Sequence, residues 1–147
     1  MNSDYVYTAG IVDGEGTIGL AKNNGDSVYK SPYISVSSTT VELINWLHSK
    51  YGGTVCRHKP RKANHSPAFS WRLRTKAKVF ELLRQVLPYL KVPDKIKRTT
   101  MLLNEYDKHT KRNGKYTAKE QRDKLQFERR FHHPSGPSRA RKAPMSL

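Results

Sequence analysis

The sequence predicts an α+β fold, an antiparallel four-stranded sheet backed by helices on one face, in the order αββαββαα. Two observations carry it. Short runs with apolar residues at every second position come in pairs joined by turns, and between the pairs apolar residues recur every three or four positions. A third observation, the length of 147 residues, fits one domain around one modest core. Strands joined as hairpins pair antiparallel, and the intervening helices bury their stripes against one face of the sheet.

In chain order, Ser3 or Asp4 caps a helix through about residue 15, closed by Gly16. Strands over 17–23 and 28–37 follow, joined at Asn24-Gly25, with Ile18 and Leu20, then Ile34 and Val36, in phase. Thr39 and Glu42 make a capping box for a second helix, whose stripe is Val41, Leu43, Ile44, Leu47 and Tyr51 and whose stop is Gly52-Gly53. A second hairpin pairs 54–59 with 68–74 across a long basic loop. In it Phe69, Trp71 and Leu73 alternate with Ser70, Arg72 and Arg74. A helix from about Thr75 to Leu90 carries Val79, Phe80, Leu83 and Leu87. Pro93 breaks it, and Asp94 caps another to about Lys108 with Ile96, Met101, Leu102 and Tyr106 inward.

Residues 1–106 therefore form the domain, and 107–147 a basic extension without a second core. After a turn at Asn113-Gly114 the extension has one helix over about 117–131. Thr117 and Glu120 form its capping box, and Leu125, Phe127 and Phe131 its apolar edge. The end, from Pro134 through Pro144, has the composition of a disordered segment.

Charge narrows the function. Twenty-eight Lys and Arg against twelve Asp and Glu leave a net +16, half of it in residues 107–147. Such an excess suits a polyanion, and nucleic acid above all, because neutralised phosphates release counterions. No apolar run is long enough for a membrane span, and the first residues do not read as a secretory leader, so an intracellular location is expected. The single cysteine, Cys56, forms no internal disulfide. Cys56, His58 and His65 lack the paired spacing of a zinc site, and Trp46 and Trp71 fit the core.

The most informative stretch is Thr8-Ala9-Gly10-Ile11-Val12-Asp13-Gly14-Glu15-Gly16. Gly10 and Gly14 stand one helical turn apart and, with Ala9, leave a face almost bare. Each interior glycine costs about 0.5–1 kcal/mol against alanine, which makes sense if another backbone packs closely there. Asp13 and Glu15 fall in the last turn, at the negative end of the helix dipole. Local rules broken together mark a functional site. Spaced i,i+2, the two carboxylates point apart, so one chain supplies one well-aimed carboxylate. A twofold mate packed on the glycine face would bring a second beside it.

These residues resemble the LAGLIDADG motif of homing endonucleases, with Thr8 in the first leucine position and Glu15 in that of the catalytic acid. The likeness extends through the order of elements, Val36-Ser37-Ser38-Thr39 and Leu87-Pro88-Tyr89-Leu90, over roughly residues 5–106. One copy of the motif implies a homodimer, with Ala9, Gly10, Asp13 and Gly14 at the interface and a saddle of strands over double-stranded DNA. The resemblance implies hydrolysis of DNA phosphodiesters at a long, nearly palindromic site, in an intron- or intein-associated enzyme with no small-molecule substrate. Such an enzyme belongs in a bacterial cytoplasm or nucleoid, a phage-infected cell or an organelle. Glu15, with Gly14 beside it, would hold Mg²⁺ or another divalent cation such as Mn²⁺. Asp13 would orient the helix end. The family often has a basic residue where this chain has Pro93, leaving Lys91 or Lys95 to serve, and Ser38 falls near a polar, water-ordering position.

Strand phase divides the sheet. With Ile18, Leu20, Ile34, Val36, Phe69, Trp71 and Leu73 toward the helices, Tyr29, Ser31, Tyr33, Ser35, Ser37, Ser70, Arg72 and Arg74 face DNA. The phase of the third strand is open, since Thr54, Cys56 and His58 oppose Val55, Arg57 and Lys59. His58 and the basic stretch Lys59, Arg61 and Lys62 are candidate DNA contacts. A non-cleaving binder on the same scaffold, an intron RNA maturase or a DNA-binding regulator, is the alternative. A generic basic RNA-binding or ribosomal protein would explain the charge but not the glycine face.

Overall fold

A computed structural model describes residues 3–22, 30–60, 66–110 and 115–134. Helix α1 (Ser3–Glu15) runs directly into β1 (Gly16–Lys22), which pairs with β2 (Lys30–Ser38). Helix α2 (Val41–Tyr51) then leads to the hairpin of β3 (Thr54–His58) and β4 (Ala68–Leu73). Helix α3 (Lys76–Val86), a 3₁₀ turn (Leu87–Tyr89), α4 (Pro93–His109) and α5 (Ala118–His132) complete the order. The sheet is antiparallel throughout, in the order β1-β2-β4-β3, so β2 and β4 are its central strands. This is the expected α+β architecture.

The alternation read from the sequence divides the sheet as expected. Ile18, Leu20, Ile34, Val36, Trp71 and Leu73 are buried, and Phe69 packs partly buried against them. Register settles β3: Thr54 lies opposite Arg72 and Cys56 opposite Ser70, on the polar face, while Val55 lies opposite Trp71. Helices α1 to α4 supply the rest of one core, including Ala9, Val12, Ile44, Leu47, Val79, Leu83 and Leu102. Trp71 is fully buried, and its indole N–H donates to the Gly52 carbonyl at 2.6 Å. That carbonyl is presented where Gly52 and Gly53, both at positive φ, end α2.

Several boundaries shift. The cap of α2 is Thr40, not Thr39, and no capping box with Glu42 forms there; the Ser38 hydroxyl accepts from the Thr40 amide instead. Asp94 does not cap α4. Pro93 is the first residue of that helix, where its missing N–H costs nothing, and Val92 is the cap. The Thr117–Glu120 box forms reciprocally, at 3.1 and 3.0 Å. Leu125, expected inward, is 53% exposed, because the buried edge of α5 is Lys124, Phe127, Glu128 and Phe131. The turns at Asn24-Gly25 and Asn113-Gly114, and the end beyond Pro134, lie outside the described residues.

Helix α5 packs on α4, and Phe127 and Phe131 belong to the same core as the sheet. The buried charges beside them are paired: Glu128 accepts from Lys124, one turn before it, and from Lys30 of β2 at 3.0 Å. Burial works against the Glu128 carboxylate, but the bonds from Lys124 and Lys30 outweigh it and hold its pKa below the ordinary 4.5. A depressed carboxylate adds stability that is present above its unfolded value and lost as pH falls through the folded one. Glu128→Gln is therefore expected to cost about 2–3 kcal/mol at neutral pH. It should also flatten the part of the stability loss that the native protein shows below about pH 4.5. Thermal unfolding of both proteins from pH 7 to 3 checks this, and parallel curves would sink it.

Candidate functional site

Helix α1 has two faces of opposite character. Tyr5, Thr8, Ala9 and Val12 turn inward, and Thr8, Ala9 and Val12 are buried. Thr8 is the polar member: its hydroxyl donates to the Asp4 carbonyl at 2.8 Å, which leaves it to accept from the Tyr51 hydroxyl at 2.6 Å. Ala9, with none of its surface exposed, belongs to its own chain's core and is not available to a partner. The outward face consists of Val6, Tyr7, Gly10 and Gly14. A Cβ at Gly10 or Gly14 would meet nothing within 4 Å among the described residues. Val6 and Tyr7 are 39% and 56% exposed. With Ile11, and Leu43 of α2, they line an open apolar groove that ends on Glu15. Stepping back from Gly14 and Gly10 at helical spacing would have found Tyr7 and Val6 in the sequence.

The C-terminal end of α1 is locked to the start of α4 from both sides. The half-buried Asp13 carboxylate accepts from the amide of Lys91 at 2.7 Å and from that of Val92 at 3.2 Å. In the other direction, the Lys95 ammonium donates to the carbonyls of Val12, at 3.1 Å, and Gly16. Burial pushes the Lys95 pKa down, Arg98 adds to this, and Asp13 and Asp94 oppose it. Arg98, one of the basic residues near Pro93, fixes the next step of chain by donating to the Ile18 carbonyl at 3.1 Å.

Glu15 stands exposed in the middle of this arrangement, with no hydrogen bond or ion pair among the described residues. The candidate residues thus separate. Asp13 and Lys95 are committed to backbone groups, and Ser38 to the start of α2, while Glu15 and the exposed side chain of Lys91 remain open. No three His, Cys, Asp or Glu side chains converge among the described residues, so one chain supplies a lone carboxylate here.

The other face of the sheet is polar and concave. Ser35, Ser37, Thr54, Cys56, His58, Ser70, Arg72 and Arg74 line its hollow. His58 and Ser70 are joined at 2.8 Å, and the Arg72 guanidinium lies over the Tyr33 ring. Ser31 sits where β2 begins, and its hydroxyl engages Tyr106 of α4. Lys59 is exposed just past β3; Tyr29, Arg61 and Lys62 lie outside the described residues. The face holds no acidic side chain among its lining residues, so its charge is positive.

The two-sided lock has a measurable consequence. Asp13→Ala leaves two amides without their acceptor and is expected to cost about 2–3 kcal/mol. Lys95→Met also relieves the burial of a charge, so about 1 kcal/mol or less is expected. Urea unfolding of the two variants gives the order, and a loss for Lys95→Met as large as that for Asp13→Ala would reverse the assignment.

No family model matches the chain, and no curated protein does. Among solved structures it is similar to the archaeal intron-encoded homing endonuclease I-Vdi141I complexed with DNA. The identity is 11% and the TM-score 0.59, over 99% of this chain and 87% of that one. It is also similar to the LAGLIDADG homing endonuclease I-GzeII in complex with a DNA target, at 12% identity and TM-score 0.62. That match covers 87% of this chain but 44% of the other. A third, the group I intron-encoded homing endonuclease I-CeuI complexed with DNA, matches at 14% identity and TM-score 0.53, over 74% of this chain and 57% of that one. At such identities the likeness is one of architecture, and it agrees with the α1 motif and the strand order: the chain has the fold of the LAGLIDADG homing endonucleases.

Proposed function

We propose that the protein is a site-specific, metal-dependent double-stranded DNA endonuclease that acts as a homodimer. The observation that carries this is Glu15: an uncommitted carboxylate at the end of a helix that Asp13 and Lys95 tie in place, and whose outer face is open at Gly10 and Gly14. Glu15 immediately precedes β1, whose Thr17 opens on the polar sheet face beside Ser35. A cationic concave sheet suits a duplex, and the net charge of +16 supplies long-range attraction to phosphate.

The donor set fits a hard divalent cation such as Mg²⁺ or Mn²⁺, but only in part. Glu15 offers carboxylate oxygen and the helix end at Gly14 offers backbone carbonyl, and neither fills six positions. A second copy packed along Gly10 and Gly14 would add its own Glu15 to the same place. When bound, the cation supplies Lewis acidity toward phosphate and lowers the pKa of water. The residues of the chain do the rest. Asp13 and Lys95 keep the helix end rigid, so that Glu15 is presented in one direction. The Lys91 ammonium, beside the amide that Asp13 holds, offers its positive charge to the phosphate. The sheet binds the groove and so places the bond to be cut over the dimer axis.

Two features favour the alternative of a non-cleaving binder: Pro93 stands where the resemblance implies a basic residue, and Lys95 is held by carbonyls rather than free. Incubation with the uninterrupted allele of the neighbouring gene, with Mg²⁺ or with EDTA, separates the two. Metal-dependent double-strand cleavage is expected, reduced about 10²–10³-fold in Glu15→Gln, given the weight of electrostatic groups at such centres. Tight binding without nicking would favour the binder. For the assembly, the first carbon of a side chain at Gly10 meets nothing within 4 Å among the described residues, so Gly10→Leu should leave the thermal unfolding of the monomer intact. Sedimentation is expected to show the native dimer converted to monomer, and unchanged sedimentation would rule out the packed helices.

A further inference from the structure

We propose that Arg72 is the base-reading arginine of the sheet face and that Tyr33, laid over Gly19, is the positioning residue that aims it; this rests on the DNA reading above. Gly19 and Tyr33 are direct partners across β1 and β2. A Cβ on Gly19 would fall 2.5 Å from both Cζ and the hydroxyl of Tyr33, well inside contact distance. The tyrosine ring therefore lies across β1 instead of standing off the sheet, and glycine is what leaves it room.

Arg72 sits on β4 opposite Ser35, which makes Tyr33 its diagonal neighbour. Its guanidinium carbon is 4.4 Å from the centroid of the Tyr33 ring, a stacking distance. Arg72 is exposed and has no hydrogen bond or ion pair among the described residues, so its N–H donors face the hollow unspent. Stacking fixes the plane of the fork and leaves its edge free. A planar fork with parallel donors matches N7 and O6 of guanine in the major groove.

Phosphate contact would not need this. Any flexible cation neutralises a phosphate, whereas a guanidinium held on a ring has already given up the rotamer freedom that directional recognition would otherwise cost. The other polar groups of the hollow differ: His58 is tied to Ser70, and Arg74 is stacked on no ring among the described residues.

The test is enrichment of a randomised duplex library on the full chain, comparing the native protein with Arg72→Lys, Tyr33→Ser and Tyr33→Phe, each checked by thermal unfolding. The native protein is expected to select guanine at one fixed position of each half-site. Arg72→Lys keeps the charge and should bind duplex within about tenfold. Its guanine preference at that single position is expected to fall from roughly tenfold or more to about twofold or less. Tyr33→Ser should relax the same position, and Tyr33→Phe, which keeps the ring, should retain the preference. Loss of preference spread over all positions in Tyr33→Ser would make Tyr33 merely structural and overturn its aiming role. Unchanged guanine selection in Arg72→Lys would overturn the assignment of Arg72 and leave DNA recognition standing. Failure of the native protein to bind duplex at all would overturn both.

Discussion

The reciprocal lock between the end of α1 and the beginning of α4 is the constraint on which the site depends. Each of its two charges is badly placed on its own helix. Asp13 sits at the negative end of α1, and Lys95 in the first turn of α4, at the positive end, a disadvantage of about 0.3–1 kcal/mol apiece. Each is well placed for the other helix. The carboxylate satisfies two amides at the start of α4, and the ammonium satisfies carbonyls at the end of α1. Exchange of partners turns two local faults into one junction, and the junction sets the direction in which Glu15 leaves the helix.

The same junction sets where the sheet begins. Chain direction changes at Gly16 without a loop, so the position of α1 determines the register of β1 against β2, from Gly16 opposite Val36 to Lys22 opposite Lys30. Arg98, one turn after Lys95, then holds the Ile18 carbonyl, and its guanidinium lies 5.3 Å from the ring of Phe131 in α5. Helix α4 thus ties the carboxylate end of α1, the edge strand and the C-terminal helix into one unit. The Lys30–Glu128 pair closes it on the far side, by joining β2 to α5.

Much of this was legible in the sequence, and the failures are instructive. Period-two alternation fixed which residues of β1, β2 and β4 face inward, because a one-residue slip would have put Trp71 and Ile34 in water. Strand β3 resisted because both of its phases mix polar and small side chains, and only pairing with β4 resolves it. Thr39 and Glu42 have capping-box spacing, yet Ser38 reaches the Thr40 amide first; local competition of this kind leaves no trace in spacing. Leu125 looked inward since leucine outranks lysine in apolarity. The buried Lys124 instead lays its methylenes along the core and spends its ammonium on Glu128, one turn away. Asp13 and Glu15 were legible as carboxylates out of place. Which of them was spent depended on a partner seventy-eight residues downstream, at Lys91.

Nothing in the packing of the described residues asks for glycine at positions 10 and 14. Both are open to solvent, and alanine at the two would gain about 1–2 kcal/mol of helix stability in the isolated chain. At Gly19 the reason for glycine is internal, a tyrosine ring at 2.5 Å; at Gly10 and Gly14 the space is empty, bordered by exposed Val6 and Tyr7 and by Leu43. A helix that forgoes its own stability along one stripe gains only if something approaches that stripe closely. A second α1 would do so with no other change to the surface, since twofold packing would match the stripe with itself. The lone carboxylate points to the same conclusion from chemistry. Glu15 lies at the end of that stripe, so the contact that would account for the glycines would also pair the carboxylates, and assembly and activity would share one interface.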